Sequence, residues 1–195
     1  RDNTLIVYTA DHADLMGDHW LQQKGPFHFD GLIRVPYIWS WPGHITPGTV
    51  NGSITSLLDF VPTIMDYCGL PAPLGILPRD RRLAPTRELP ALPGHSLRPL
   101  LEGHARAVQD RMLIEQDTYE TVRLRLRTLV TERYRLTWYT GQPYGELFDL
   151  QEDPHEFHNL WADPGHRPLR NELAAQLLDV VSLHDSRFPR QVAGA

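Results

Sequence analysis

The sequence predicts an α/β fold, in which part of a mostly parallel sheet is followed by a small antiparallel sheet with a packed C-terminal helix. Continuous apolar runs at residues 5–8 and 35–39 are typical of strands buried on both faces of a parallel sheet. Apolar residues alternate with arginines over 122–127, which indicates a half-buried strand. Leucines and a valine recur at helical spacing over 168–184, so we expect the terminal helix there.

Length and composition exclude several classes of protein. The 195 residues can bury a real core, and 41% hydrophobic with 22% charged residues is close to the globular average. A net charge of −5 lacks the basic excess of a nucleic-acid binder, and no apolar run approaches the ~18 residues of a membrane span. Cys68 is the only cysteine, which excludes an intrachain disulfide and fits a reducing compartment such as the cytoplasm without requiring one.

Charged residues gather directly after the first predicted strand. The stretch TADHADLMGDHW, at 9–20, contains three aspartates and two histidines. Open α/β sheets bind their ligands at the carboxyl ends of their strands, so the sequence predicts a site here. The second strand, at 35–39, ends at a Trp-Pro-Gly turn and is expected to join the same sheet.

A core helix is predicted within residues 56–70. We expect Asp59 to be its N-cap, which places Pro62 in the first turn, where a missing N–H costs nothing. Gly69 follows as a stop. One helical face would then carry four apolar residues that we expect to be buried: Leu57, Val61, Ile64 and Cys68.

Three regions follow from this organisation. Residues 1–70 would form part of a catalytic α/β domain. Residues 71–99 contain seven prolines and are expected to be an irregular excursion. Residues 100–195 would form a subdomain with strands at 122–127, 134–139 and 144–150 and the terminal helix.

Lysine usage singles out one position. Of the 19 basic residues 18 are arginine, and Lys24 is the exception. A compact ammonium group can approach a tetrahedral anion end-on, where a planar guanidinium would not fit the same space. This favours a functional role for Lys24.

Asp11 and His12 stand first after the strand and could converge on one cation. Carboxylate oxygen suits hard divalent ions and imidazole suits softer metals, so the pair is half a ligand set and does not identify its metal. We expect Asp14 to be a cap or an outer partner of the site, and Asp18 and His19 to be structural.

Several motifs, in order, resemble the sulfatase family of the alkaline-phosphatase-like superfamily. In this family a strand is followed by T-S-D-H-G or T-S-D-N-G, then by G-D-H, K-G-P, R-V-P and W-P-G. The corresponding segments here are LIVYTADHADLMGDHW, KGP, RVP and WPG, in the same order. SLLDFVPTIMDYCGLP resembles its D-x-x-P-T helix. LPGHSLRPLLEG resembles its G-x-S-L-x-P-L-L turn, and GELFDLQEDPHEFHNLW its E-L-Y-D-L-x-x-D-P-x-E-x-x-N-L ending.

The resemblance implies a role for individual residues. Asp11 and His12 match the positions that bind the active-site calcium, and Lys24 matches the lysine that contacts the sulfate group. His28 could hydrogen-bond substrate or protonate the leaving alkoxide, but packing between its aromatic neighbours is an equal alternative. The implied substrate is a sulfate-ester small molecule or a sulfated glycan.

Two departures qualify this resemblance. Ala13 stands where the family has glycine, and alanine would be strained there if the backbone φ were positive. The family's nucleophile, a formylglycine made within C/S-x-P/A-x-R, has no counterpart in these residues, nor has the upstream aspartate pair. Because the segment around Cys68 lacks the arginine of this motif, we interpret Cys68 as a buried packing residue.

The chain begins at Arg1 without methionine or a signal peptide and enters a strand within four residues, so we expect sequence upstream. It resembles the carboxyl-terminal portion of a sulfatase, inactive without the formylglycine that we expect upstream. Alternatives are a phosphonate or phosphate monoester hydrolase of the same superfamily, or a catalytically inactive remnant.

Overall fold

The computed structural model describes residues 2–71, 93–117 and 124–187. Its strands and α-helices, in chain order, are β1 (Ile6–Thr9), α1 (Asp30–Ile33), β2 (Tyr37–Ser40), α2 (Phe60–Tyr67), α3 (Arg98–Leu101), β3 (Arg111–Gln116), β4 (Leu126–Thr131), β5 (Tyr134–Tyr139), β6 (Gly145–Asp149) and α4 (Arg167–Arg187). Single 3₁₀ turns occur at Asp18–Trp20, Leu57–Asp59 and Pro164–His166.

Strands β1 and β2 pair with each other in antiparallel register. Ile6 lies opposite Ser40 and Thr9 lies opposite Tyr37. The segment that connects them contains only a 3₁₀ turn at Asp18–Trp20 and the four-residue α1, and it returns the chain beside β1 in the opposite direction. The expected parallel arrangement of these two runs is therefore not formed among the described residues.

The expectation that β1 is buried on both faces is wrong for this chain. Ile6 is 46% exposed and Tyr8 is 62% exposed. On β2, Trp39 packs into a small core with Ile45 and Leu97. One side of the pair thus contacts the rest of the chain, and the described residues supply no layer for the other side.

Helix α2 begins where predicted, with Asp59 at the N-cap position and Pro62 in the first turn, but its capping and packing differ from the prediction. Ser56 Oγ accepts a hydrogen bond from the Leu58 N–H, and Asp59 Oδ2 accepts one from the Ser56 N–H, which forms a capping box on the 3₁₀ turn. Asp59 therefore does not cap α2 with its side chain. Cys68 is exposed, which corrects the expectation that it is buried.

The apolar face expected on α2 is only partly covered. Leu57 is 38% exposed and Val61 is 45% exposed, whereas Ile64 packs against the core of Trp39, Ile45 and Leu97. The helical spacing was thus interpreted correctly, but the described residues do not bury the whole face.

The second half is a four-stranded antiparallel sheet in the order β3-β4-β5-β6, covered by α4. Its core unites three sheet residues with two from α4: Leu129, Leu136, Leu147, Leu173 and Leu177. The prediction of an antiparallel sheet with a packed C-terminal helix is confirmed. Strand β3 was not predicted, and β4 begins at Leu126, later than expected.

The arginine stripe of the predicted strand at 122–127 has mixed surroundings. Arg125 is exposed, but Arg127 forms ion pairs with Glu115 (2.8 Å) and Asp117 (2.7 Å). Positions 122 and 123 lie outside the described residues, as does most of the 71–99 excursion.

In the described part of the chain, no helix has the length and apolar character needed to cross a membrane.

Candidate functional site

The end of β1 brings three of the sequence-predicted residues together. His12 Nε2 lies 3.7 Å from Asp11 Oδ2 and 3.2 Å from Lys24 Nζ. The three side chains reach the surface, so a ligand can approach them from solvent. Residues twelve positions apart in sequence thus meet where the sequence predicted a site.

The hydrogen bonds of His12 define which ring nitrogen carries the proton. Nδ1 lies 2.9 Å from the Ala13 carbonyl oxygen, which can only accept, so Nδ1 donates. Nε2 is then the acceptor and can receive a hydrogen bond from Lys24 Nζ, while the Asp11 carboxylate lies 3.7 Å away. Metal-ligating histidines commonly donate their second N–H to a carbonyl in this way.

The Asp11 carboxylate is held in its charged form. Backbone N–H groups of His12 and of Asp11 itself, followed by electrostatic interactions with His12 and Lys24, keep the pKa of Asp11 below its usual value. An ionised carboxylate beside a lone-pair nitrogen is a chemically suitable donor pair for a divalent cation. The residues present therefore fit half of a metal site.

The described residues do not complete that set. Among them, no group of three or more His, Cys, Asp or Glu side chains could hold a metal ion. Asp14 is exposed, and its expected role as a cap or an outer partner stays a prediction. Metal binding by Asp11 and His12 therefore stays a prediction.

Asp18 and His19 contact neighbouring residues of the fold, and their structural roles stay predictions. Asp18 accepts a hydrogen bond from the His19 N–H at 3.1 Å, and it abuts Gly31, where a Cβ would overlap its carboxylate. The His19 ring packs against Phe29 at 3.7 Å between centroids and meets the edge of Phe157 at 5.5 Å.

Ala13 is accommodated without strain. It is not among the described non-glycine residues with positive φ, so the position does not require glycine. Its N–H donates to the Leu32 carbonyl at 2.9 Å, which ties the chain after His12 to α1.

His28 lies under the C-terminal sheet. It is 4% exposed, and its Nδ1 is 2.8 Å from Thr128 Oγ1, which also bonds Thr137 Oγ1 at 2.9 Å. Burial, and next the positive charge of Arg135, lower the pKa of His28 to about 4. The ring is therefore neutral at pH 7, which favours the packing alternative that the sequence left open.

A buried ionic cluster beside His28 was missed by sequence reasoning. Arg135 is fully buried and pairs with Asp30 at 3.1 Å and with Glu156. Its guanidinium lies near two aromatic rings, those of Phe29 and Phe148. The only sequence signal was Glu156 within the D-P-x-E motif, which does not reveal its partners.

Two family models match this chain. Residues 1–70 match the family model described as Sulfatase, and residues 81–182 match the model described as N-sulphoglucosamine sulphohydrolase, C-terminal. The chain belongs to the sulfatase family. The resemblance inferred from its motifs is thereby confirmed.

Individual relatives agree with this sulfatase assignment. An N-acetylglucosamine-6-O-sulfatase of Bacteroides thetaiotaomicron is 28% identical over 186 residues, which are 91% of this chain and 30% of that protein. A solved 2-O GAG sulfatase is 30% identical with a TM-score of 0.76, covering 93% of this chain and 36% of that one. A phosphonate monoester hydrolase of Agrobacterium radiobacter is 31% identical with a TM-score of 0.72, covering 94% and 36%.

These structures confirm the alkaline-phosphatase-like fold class. The chain spans about a third of the length of the relatives that it matches. About two thirds of each of these relatives therefore has no counterpart in this sequence.

Proposed function

We propose that the protein carrying this chain is a sulfuric ester hydrolase that cleaves sulfate esters by metal-assisted hydrolysis. The single observation that carries the proposal is the convergence of Asp11, His12 and Lys24 at the end of β1. A carboxylate, a lone-pair imidazole nitrogen and an ammonium group there provide binding for a cation and for an anionic group beside it.

Each residue has a distinct chemical task in this proposal. Asp11 and His12 Nε2 would hold the divalent ion, expected to be Ca²⁺, which supplies positive charge to the sulfate oxygens. Lys24 Nζ would donate to a sulfate oxygen and stabilise the negative charge that develops there. The formylglycine nucleophile and the remaining metal ligands would come from residues outside this chain.

The proposed substrate is a sulfated glycan or a smaller sulfate ester. Relatives that act on sugars support the glycan: one is named as an N-acetylglucosamine-6-O-sulfatase and another as a 2-O GAG sulfatase. Specificity for the alcohol portion would depend on loops that these residues do not include.

A phosphonate monoester hydrolase is the second candidate. The similarity to the Agrobacterium radiobacter enzyme, at 31% identity and a TM-score of 0.72, favours it specifically. Phosphonate and sulfate monoesters both present tetrahedral anionic groups, so the same cation and lysine could serve either.

The test is to compare turnover of an aryl sulfate and an aryl phosphonate by the full-length protein. A higher kcat/KM for the sulfate is expected, and the reverse order would favour the second candidate. Turnover of neither ester, together with the absence of a nucleophile motif in the upstream coding sequence, would favour an inactive remnant.

Lys24→Ala should lower kcat by about 10²-fold or more, because one donor to the developing charge is lost. Arg125→Ala is a suitable control, since it removes an exposed positive charge next to β4. A loss below about threefold for Lys24→Ala would remove this lysine from the catalytic site.

A further inference from the structure

The cluster of Arg135 and Glu156, which are buried, with the partly exposed Asp30 joins the C-terminal sheet to α1. Arg135 Nη1 donates to Asp30 Oδ1 at 3.1 Å, and Nη2 pairs with Glu156 Oε1. Glu156 Oε2 accepts from the Asp30 backbone N–H at 2.9 Å. Arg135 and Glu156, which come from the C-terminal half, therefore both hold Asp30, the first residue of α1.

A short route leads from α1 to the candidate site. Asp30 begins α1, and Leu32, two residues later, accepts a hydrogen bond from the Ala13 N–H. Ala13 directly follows His12, and its carbonyl accepts from His12 Nδ1. The backbone that carries Asp11 and His12 is thus tied to α1, and α1 is tied to Arg135 and Glu156.

The backbone of Glu156 has an uncommon conformation for a residue with a long side chain. Its φ is 60°, a left-handed conformation that glycine, asparagine and aspartate adopt more readily. The residue is also 4% exposed. A strained, buried glutamate persists only where the surrounding structure over-determines it, which is common at functional sites.

We propose that Arg135 and Glu156 are positioning residues for the Asp11–His12 pair: by fixing Asp30 they hold α1, and α1 holds the backbone of Ala13 beside His12. Their catalytic importance rests on the proposed function. The mechanical link itself is a property of the fold and can be measured without substrate.

The experiment is site-resolved amide hydrogen exchange on the full-length protein and on the double variant Arg135→Met/Glu156→Gln. This removes the two buried charges together and leaves only Asp30, whose side chain is 35% exposed and also pairs with Arg34 at 3.6 Å. The matched control is Arg133→Met/Asp149→Asn, which removes an ion pair of 2.8 Å between the β4–β5 turn and β6 of the same sheet.

In the double variant we expect the Ala13 amide to exchange about tenfold faster or more, because the helix that accepts its hydrogen bond is released. Amides of β4 and β5 should keep their protection, and the control should leave Ala13 unchanged. Unchanged exchange at Ala13, or an equal increase in the control, would overturn the proposal.

If β4 and β5 also lose protection, the same comparison is made with Glu156→Gln alone, which keeps the side-chain volume. Faster exchange at Ala13 with protected strands then supports the proposal, and any other pattern overturns it. This criterion does not depend on whether the protein cleaves an ester.

Kinetics test the catalytic part separately. A misplaced metal-ligand pair should lower kcat by about 10²-fold in the Arg135→Met/Glu156→Gln variant while KM changes less, with the control close to the parent protein. An unchanged kcat would overturn the positioning role. A parent protein that cleaves neither ester would defeat the proposed function and leave the exchange result standing.

Discussion

Glu156 has an unusual environment among the carboxylates of this protein. Burial raises its pKa to about 7, despite the lowering effect of Arg135, and the negative charges of Asp30 and Asp18 add to the increase. The opposite case is Asp149, where hydrogen bonds from Arg133 lower the pKa. The two residues should therefore make opposite contributions to the pH dependence of stability.

The first prediction concerns Glu156→Gln and pH. The folded state raises the pKa of Glu156 from 4.5 to about 7, so it favours the protonated form. The associated stability is present below pH 4.5 and is lost as the pH rises through 7. Between about pH 5 and about pH 8, the parent protein should lose about 1–3 kcal/mol of unfolding free energy relative to Glu156→Gln.

Urea denaturation of both proteins across this range measures the difference. Parallel pH profiles for the two proteins would contradict the prediction. A parent protein that gains unfolding free energy relative to Glu156→Gln as the pH rises would contradict its sign.

A second prediction distinguishes the two interpretations of His28. His28→Phe keeps an aromatic ring but loses the bond to Thr128, so we expect a loss of about 1 kcal/mol in unfolding free energy. Turnover by the full-length protein should change less than about threefold. His104→Phe, at a histidine with a 72% exposed side chain, serves as the control. A large loss of kcat with unchanged stability would instead favour the proton-donor role.

Among the secondary-structure elements, those with strong local periodicity could be predicted from sequence and β3 could not. The apolar spacing of α4 and the run that forms β5 predict these elements within a few residues. Strand β3 lacks a clean alternation, and its stability comes from pairing with β4. Helix α2 shows a further limit, since spacing identifies an apolar face but not what covers it.

The packing of β6 against Trp161 yields a third prediction. A Cβ added at Gly145 would lie 2.5–2.6 Å from atoms of the Trp161 ring, so Gly145→Ala forces the ring to move. We expect a loss of about 1–3 kcal/mol of unfolding free energy, measured by urea denaturation. Gly52→Ala is the control, because a Cβ there meets no atom within 4 Å. Equal stabilities of the two variants would contradict the packing argument.

For the molecule as a whole, the order of the motifs predicted the family and the three candidate-site residues at the end of β1, but not the cluster that is tied to them through α1. Asp11, His12 and Lys24 were predicted because their chemistry is local to one segment. The cluster of Arg135, Asp30 and Glu156 was not, because it joins residues 105 and 126 positions apart. A single sequence carries no signal for contacts at such separations.

The exposed side of the β1–β2 pair leads to a prediction about association. Tyr8 is 62% exposed and lies opposite Ile38, which is 58% exposed, and Ile6 is 46% exposed on the same face, so the pair presents adjacent apolar side chains to solvent. We expect the 195-residue chain to self-associate in sedimentation experiments, and Tyr8→Arg/Ile38→Arg to reduce the association. Leu178→Arg, at an exposed position of α4, should not. A monomeric parent chain would contradict this expectation.

The position of Lys24 has a practical consequence for labelling chemistry. It is the only lysine of the chain, and its ammonium group lies 3.2 Å from His12. An amine-selective acylating reagent therefore has a single side-chain target in these residues, and that target lies inside the candidate site. Sulfate or phosphate bound there would slow this one acylation, so the mass of a single peptide would measure anion occupancy without any turnover.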